Sequence, residues 1–158
     1  MDGNRLSTTD FLNLFEEDPR QAEMILRDPP VGPDGESFFY EKKLPEYLAE
    51  LLSQHGLKLS EVVRDSLLSK SYAYQVFAGE RVPSRDTLLR IGLAMHLPSE
   101  ELQMLLRRGG VGPLYPKVRR DAAILFCVGR GLSLDMVESF LEELGETGLF
   151  ITQGNEQR

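Results

Sequence analysis

Between Leu44 and Gly145 the apolar residues recur three or four positions apart, and they never alternate with polar ones for long enough to build a strand. That periodicity restricts the chain to helices packed on helices, an all-α fold. Ser, Pro and Gly set the helix lengths. LPEYLAELLSQHG, residues 44–56, places Pro45 in a first turn, where its missing N–H costs nothing. Leu44, Leu48, Leu51 and Leu52 make its stripe, and Gly56 is its stop. A second helix is predicted over about 59–66, with Val62 and Val63 inward, and a third from a Ser69 cap to Ala78, stopped by Gly79. Ser84 caps a fourth, with Leu88, Ile91 and Met95 at helical spacing, and Ser99 a fifth, ended by Gly109-Gly110. Residues 115–129 give a sixth whose apolar second half, AAILFCV, should be buried. Ser133 caps a seventh, with Val137, Phe140, Leu141 and Leu144 on one stripe and Gly145 as the stop.

Upstream, residues 9–27 read as one or two short helices. Phe11, Leu14 and Phe15 share a face, and Met24 with Ile25 supplies a second contact after Pro19. DPPVGPDGES, residues 28–37, reads as a linker or ordered loop. The expected division is an acidic helical segment with its linker over 1–37, a helical domain over 38–110, a C-terminal helical hairpin packed on it over 111–145, and a polar tail over 146–158.

At 158 residues the chain suffices for one hydrophobic core, and its 41% hydrophobic and 27% charged residues are ordinary for a globular protein. No apolar run approaches the roughly 20 residues that span a bilayer. The polar, acidic start resembles neither a signal nor a transit peptide. Cys127 is the single cysteine, which excludes an internal disulfide and makes cytoplasmic residence the simplest expectation. It reads as a small buried hydrophobe. No nucleophile with a base, paired carboxylates, metal-ligand spacing or cofactor fingerprint stands out, so neither an enzyme nor a cofactor or metal is expected. GGVG at 109–112 lacks the Lys-Ser/Thr sequel of a phosphate loop. His55 and His96 lie near helix ends, where a cation or a bond to a free carbonyl is favourable.

The net charge of −7 is unevenly distributed. Residues 1–41 hold 3 basic and 10 acidic side chains, residues 42–130 hold 14 and 9, and residues 131–158 hold 1 and 6. A basic middle between acidic ends can meet phosphates locally while the whole molecule stays acidic.

Within that middle, LKLSEVVRDSLLSKSYAYQVFAGERVPSRDTLLRIGLAMHLPSEEL resembles the phage-repressor helix-turn-helix family, the Cro or Xre type, with the first helix of its five-helix unit supplied by 44–55. The marks are Val63 inside the second helix, the turn at Leu67-Leu68, Val76-Phe77-Ala78-Gly79 ending the next, and the Pro83-Ser84 start. The resemblance implies a lambda-repressor-like bundle over 38–110, extended by the C-terminal hairpin. It further implies sequence-specific binding of double-stranded DNA for transcription regulation, with the helix at 69–78 in the major groove. Base contacts would fall to Lys70, Ser71, Tyr74 and Gln75: Lys suits guanine, Gln bridges adenine, Ser pairs with either and Tyr74 packs on a thymine methyl or reaches a phosphate. Backbone contacts would fall to Ser69, Arg81, Ser84 and Arg85. Arg107, Arg108, Lys117, Arg119 and Arg120 concentrate five cations within 14 residues, a second phosphate-contacting patch or partners of the acidic termini. The family's pairing on two half-sites implies a homodimer, with the seventh helix and the apolar end of the sixth as candidate contacts.

Three residues depart from the family pattern. Leu59 stands where a Gln usually braces the DNA contact, Leu67 where the turn commonly has Gly, and Val63 where Ala is frequent. Leu59 and the net acidity favour the alternative, a helix-turn-helix-like protein-protein interaction adaptor that binds through a Tyr72/Tyr74 surface. Helical geometry forbids burying both tyrosines around an inward Ala73, so at least one is expected at an interface. With no separate effector domain legible, signals would arrive through a regulatory protein partner, and the acidic start would regulate by masking the basic face.

Overall fold

The computed structural model describes residues 8–31, 39 and 43–150. Among them every long regular element is a helix: α1 (Thr8–Glu17), α2 (Pro19–Arg27), α3 (Leu44–Gln54), α4 (Leu59–Ser66), α5 (Lys70–Phe77), α6 (Arg85–Ala94), α7 (Ser99–Arg108), α8 (Arg119–Gly129) and α9 (Leu134–Glu143). No helix among the described residues is long and apolar enough to cross a membrane. The chain divides into two units between Glu41 and Lys42, slightly later than the linker composition suggested.

In the first unit, α1 packs on α2. The Asp18 carboxylate caps α2 by accepting from the Gln21 N–H at 3.3 Å, and Pro19 occupies its first turn. Ala22 and Ile25 are buried, but Met24 points to solvent, because it follows neither at the spacing of their face. The Phe11 side chain and most of the loop at 28–37 lie outside the described residues.

In the second unit α6 is the central element: every residue from Thr87 to Ala94 is buried. It packs on α4, α7 and α9, while α7 packs on α3 and α8. The α6–α7 hairpin is therefore sandwiched, with α3–α4 on one face and α8–α9 on the other. The core that results runs from Leu44 to Leu149 without a break between the two halves. The expected polar tail accordingly begins later than Glu146. Leu149 is fully buried, and its N–H donates to the Glu138 carboxylate at 2.8 Å.

The three hairpins turn in the same way. In each, the first helix ends two residues before a left-handed residue, Gly56 (φ 60°), His96 (φ 56°) or Gly131 (φ 67°). The next residue is a leucine whose N–H reaches back five residues: Leu57 to Leu52, Leu97 to Gly92, Leu132 to Cys127. His96 thus serves a backbone conformation that imidazole side chains tolerate better than most, rather than capping a carbonyl. His55 also departs from expectation: its Nε2 meets the Glu101 carboxylate of α7 at 2.6 Å. Ser99 is the first residue of α7 and not its cap, since Pro98 holds the cap position without a side-chain bond. The sixth helix starts at Arg119 rather than near Tyr115.

A closer repetition relates α8–α9 to α6–α7 at a constant spacing of 35 residues. Arg85-Asp86 recurs as Arg120-Asp121, and the two pairs clasp each other crosswise. Arg85 donates to both Asp121 oxygens at 2.9 and 2.7 Å, and Arg120 to both Asp86 oxygens at 3.1 Å. Each arginine also ties down the loop that follows its own hairpin. Arg85 donates to the carbonyls of Gly112 and Pro113, both at 2.9 Å, and Arg120 to those of Thr147 and Gly148, at 2.8 and 3.4 Å. Gln103 accepts from the Leu114 N–H at 2.6 Å, as Glu138, 35 residues on, accepts from Leu149. The contacts α6 on α9 and α7 on α8 are exchanged by the same local twofold relation.

Burial opposes ionisation of Asp121, but the Arg85 guanidinium and the Tyr115 N–H (2.9 Å) outweigh it and hold the carboxyl below the usual carboxylate range. A group depressed in the folded state contributes stability that is full above its unfolded value, about 3.9, and is lost as pH falls through the folded one. Asp121→Asn is therefore expected to destabilise by roughly 2–3 kcal/mol at neutral pH, less than a fully buried pair because Arg85 keeps some water. In urea titrations at a series of pH values, its deficit relative to wild type should shrink below about pH 4.

Candidate nucleic-acid interface

α5 lies across α3 and α4, and two covering helices give it a broad inward face. Ala73 and Val76 are buried as their spacing requires, and Phe77 packs on the same core. So does Tyr72, only 5% exposed. The expected Tyr72/Tyr74 surface therefore does not exist: the inward face spans from Tyr72 to Val76, and Tyr74 alone is left half-buried at its edge. Cys127 is buried as expected, with its thiol pushed up by burial.

The outward face of α5 carries Lys70 and Ser71, both exposed, with Tyr74 and Gln75 partly so one turn later. Ser69 stands at the N-cap, its Oγ accepting from the Tyr72 N–H at 3.4 Å, so it serves the helix first. Arg81, beyond the helix, is exposed and returns to it: its Nε donates to Gln75 Oε1 at 3.1 Å. That bond decides what Gln75 offers. With its oxygen turned toward Arg81 and one of that oxygen's two lone pairs taken, the side chain offers its N–H donors more readily than its acceptor, whereas bridging adenine needs both.

The remaining cations are placed otherwise. Arg85 is committed to Asp121 and two loop carbonyls, so it holds α6 to α8 instead of standing ready for a phosphate. Ser84 caps α6, accepting from the Thr87 N–H at 3.2 Å. The cluster expected at 107–120 is not one patch. Arg108 lies over the Tyr47 ring at 5.1 Å, Arg119 bonds the Leu144 carbonyl at 2.7 Å and Glu146 at 3.3 Å, and Arg120 belongs to the crosswise clasp. Arg107 is half-buried, and Lys117 is exposed on the turn before α8. The partner of Arg119 does come from the acidic C-terminal stretch, but that of Arg120 comes from α6, which spacing along the chain could not show. The repeated Arg-Asp pair was the available signal for both clasps.

The turn between α4 and α5 contains the strain that its sequence implied. Leu67 is left-handed at φ 60°, ψ 17°, and 55% exposed. Ser66 beside it is fully buried: its Oγ donates to the Val63 carbonyl at 2.8 Å, and its own carbonyl accepts from Arg90 Nε at 3.1 Å. The guanidinium of Arg90, a buried residue of α6, lies over the Phe150 ring at 4.2 Å. Leu59, at the start of α4, packs partly on the core and supplies no polar group there. At the far end of α5, Gly79 at φ 81° also admits Pro45, whose Cγ would lie 2.9 Å from any added Cβ. No group of three or more His, Cys, Asp or Glu among the described residues is placed to hold a metal ion.

Leu67→Gly should raise stability by up to about 1 kcal/mol, because it removes a left-handed β-carbon and gives up only a side chain that is already more than half exposed; thermal unfolding that shifts downward would contradict the strain argument. Comparison with protein-family models, curated proteins and solved structures gave no significant match to this chain.

Proposed function

We propose that the chain is a sequence-specific DNA-binding transcriptional regulator of the phage-repressor helix-turn-helix type, with α5 as its major-groove helix. The observation that carries this reading is the outward face of α5. Within the basic middle of the chain, Arg85, Arg119 and Arg120 are drawn into clasps and loop anchors, while Lys70, Ser71 and Arg81, with the partly exposed Tyr74 and Gln75, gather polar and cationic groups on one surface. A turn at Ser66-Leu67, anchored by the buried and hydrogen-bonded Ser66, holds α4 and α5 at a fixed angle beneath it. Arg81 and Lys70 supply the phosphate or guanine contacts, and Ser69 and Ser84 contribute through the helix starts they cap. Arg85 and the 107–120 arginines keep the scaffold rigid behind the surface.

The Arg81–Gln75 bond refines the readout. A side-chain pair that offers mainly donors matches guanine, whose major-groove edge is N7 and O6, better than adenine, which adds an N6 donor. The test is binding to the DNA upstream of the chain's own coding sequence and to scrambled DNA, across a salt series. Preference for the upstream DNA should vanish when Lys70, Ser71, Tyr74 and Gln75 are changed to Ala, and affinity should fall steeply with salt. Replacing the critical guanine by adenine should cost about 1–3 kcal/mol in wild type and far less in Gln75→Ala. Failure to bind any duplex at low salt would defeat the proposal.

A further inference from the structure

The crosswise clasp closes one end of the local twofold that relates α6–α7 to α8–α9, at the starts of α6 and α8. At the other ends of these helices the two hairpin turns part around a half-open cavity of about 160 Å³. Its walls come in pairs 35 residues apart: Leu93 with Val128, Leu97 with Leu132, and His96 with Gly131. Two of the pairs are apolar on both sides, and the third is unlike. His96 holds the left-handed position that Gly56 and Gly131 hold in the other two hairpins, at φ 56° against 60° and 67°. A β-carbon is disfavoured there, and the two sister turns form without one. The imidazole kept at that cost is exposed at the cavity mouth, and its ring makes no hydrogen bond among the described residues. Strain retained where a glycine would relieve it marks a position held for its side chain.

We infer that this cavity is a binding site for a small neutral molecule made of one six-membered ring and one hydroxyl, a phenol in its simplest form. Size sets the ring, since an apolar cavity of about 150 Å³ accepts benzene. A rigid ring also loses little conformational freedom on binding, and the leucine and valine walls offer it apolar contact. His96 sets the hydroxyl. It is the one polar side chain in the lining, and an imidazole can donate to or accept from an O–H. Because Gly131 stands across the twofold from it, the hydroxyl is directed to one side and the ligand takes one orientation. Charge sets neutrality. Glu100 and Asp135, a further pair 35 residues apart, are exposed in the first turns of α7 and α9, and Asp65 of α4 lies within electrostatic reach of His96. These carboxylates disfavour an anion at the mouth, while a cation would find no carboxylate inside the lining to replace its water. The site gives the chain a small-molecule input of its own where its sequence shows no effector domain. It rests on the packing of the hairpins and holds whether or not α5 meets DNA.

Titration of the full chain with phenol, without DNA and followed by NMR, tests it. Saturable shifts should centre on the His96 ring and the methyl groups of Leu93, Leu97, Val128 and Leu132, with a Kd of about 1 mM or tighter. Benzene and benzoate should each bind about fivefold more weakly or worse. Val128→Phe fills the cavity from a half-buried position and should weaken phenol about tenfold or more, with the helical circular dichroism unchanged. His96→Gly should lower phenol to the affinity of benzene while raising the thermal midpoint, since the same turn already uses glycine at 56 and 131. That variant keeps the test decisive even where Val128→Phe perturbs packing. Shifts that do not saturate, or a phenol affinity indifferent to Val128→Phe, overturn the site. Phenol held equally well by His96→Gly, or benzoate bound more tightly than phenol, overturns the assignment of the ligand. A midpoint that falls in His96→Gly overturns the strain argument behind it.

Discussion

A helix without a solvent-facing side is a demanding element, and α6 is one from Thr87 to Ala94. Its burial on every face requires neighbours on every face, so the hairpins α3–α4 and α8–α9 are conditions for α6 rather than additions to it. The same burial makes Arg90 expensive unless its guanidinium is satisfied inside. It is directed to the Ser66 carbonyl at the turn between α4 and α5 and to the ring of Phe150 beyond α9. One buried side chain thereby couples the geometry under the candidate interface to the docking of the last described residues.

The crosswise Arg-Asp clasp performs the complementary task at the start of α6. A lone buried ion pair is a weak source of stability, because desolvation offsets much of the attraction. Here each arginine uses further donors on loop carbonyls, and Asp121 also accepts a backbone N–H. The clasp therefore selects a register between the two hairpins more than it adds to the core, and its twofold arrangement follows from the 35-residue repeat.

These two devices account for where the cations of the middle segment go. Charge counts along the chain predicted a basic region, and the region exists in composition. Much of it is consumed by loop carbonyls and carboxylates, and the α5 face with Arg81 beside it is one of the smaller cationic surfaces that remain, Lys58, Arg64 and Lys117 being exposed elsewhere. The face itself was legible because it lies within a single helix: Lys70, Ser71, Tyr74 and Gln75 follow from the 3.6-residue period and from the inward Ala73 and Val76. The roles of Arg85, Arg119 and Arg120 were not, because their partners lie 25 to 36 residues away in sequence. Tyr72 failed as an interface residue for a related reason. Periodicity gives the direction of a side chain but not the width of the groove it enters, and two helices cover α5 where one would have left the tyrosine exposed.

The sequence by itself determined the helices and their ends. Proline and serine at starts, glycine at stops and apolar residues at helical spacing act within a few residues of one another, so local chemistry suffices for them. The strained turn was an expectation of the family resemblance, which sets a glycine where Leu67 stands, and the left-handed φ of 60° there is what the structure shows. Only the tertiary structure decided which hairpin is central, which arginines are structural and what Gln75 can offer to a ligand. Those outcomes depend on burial and on bonds between groups far apart in the chain, and both come into being only when the hairpins pack.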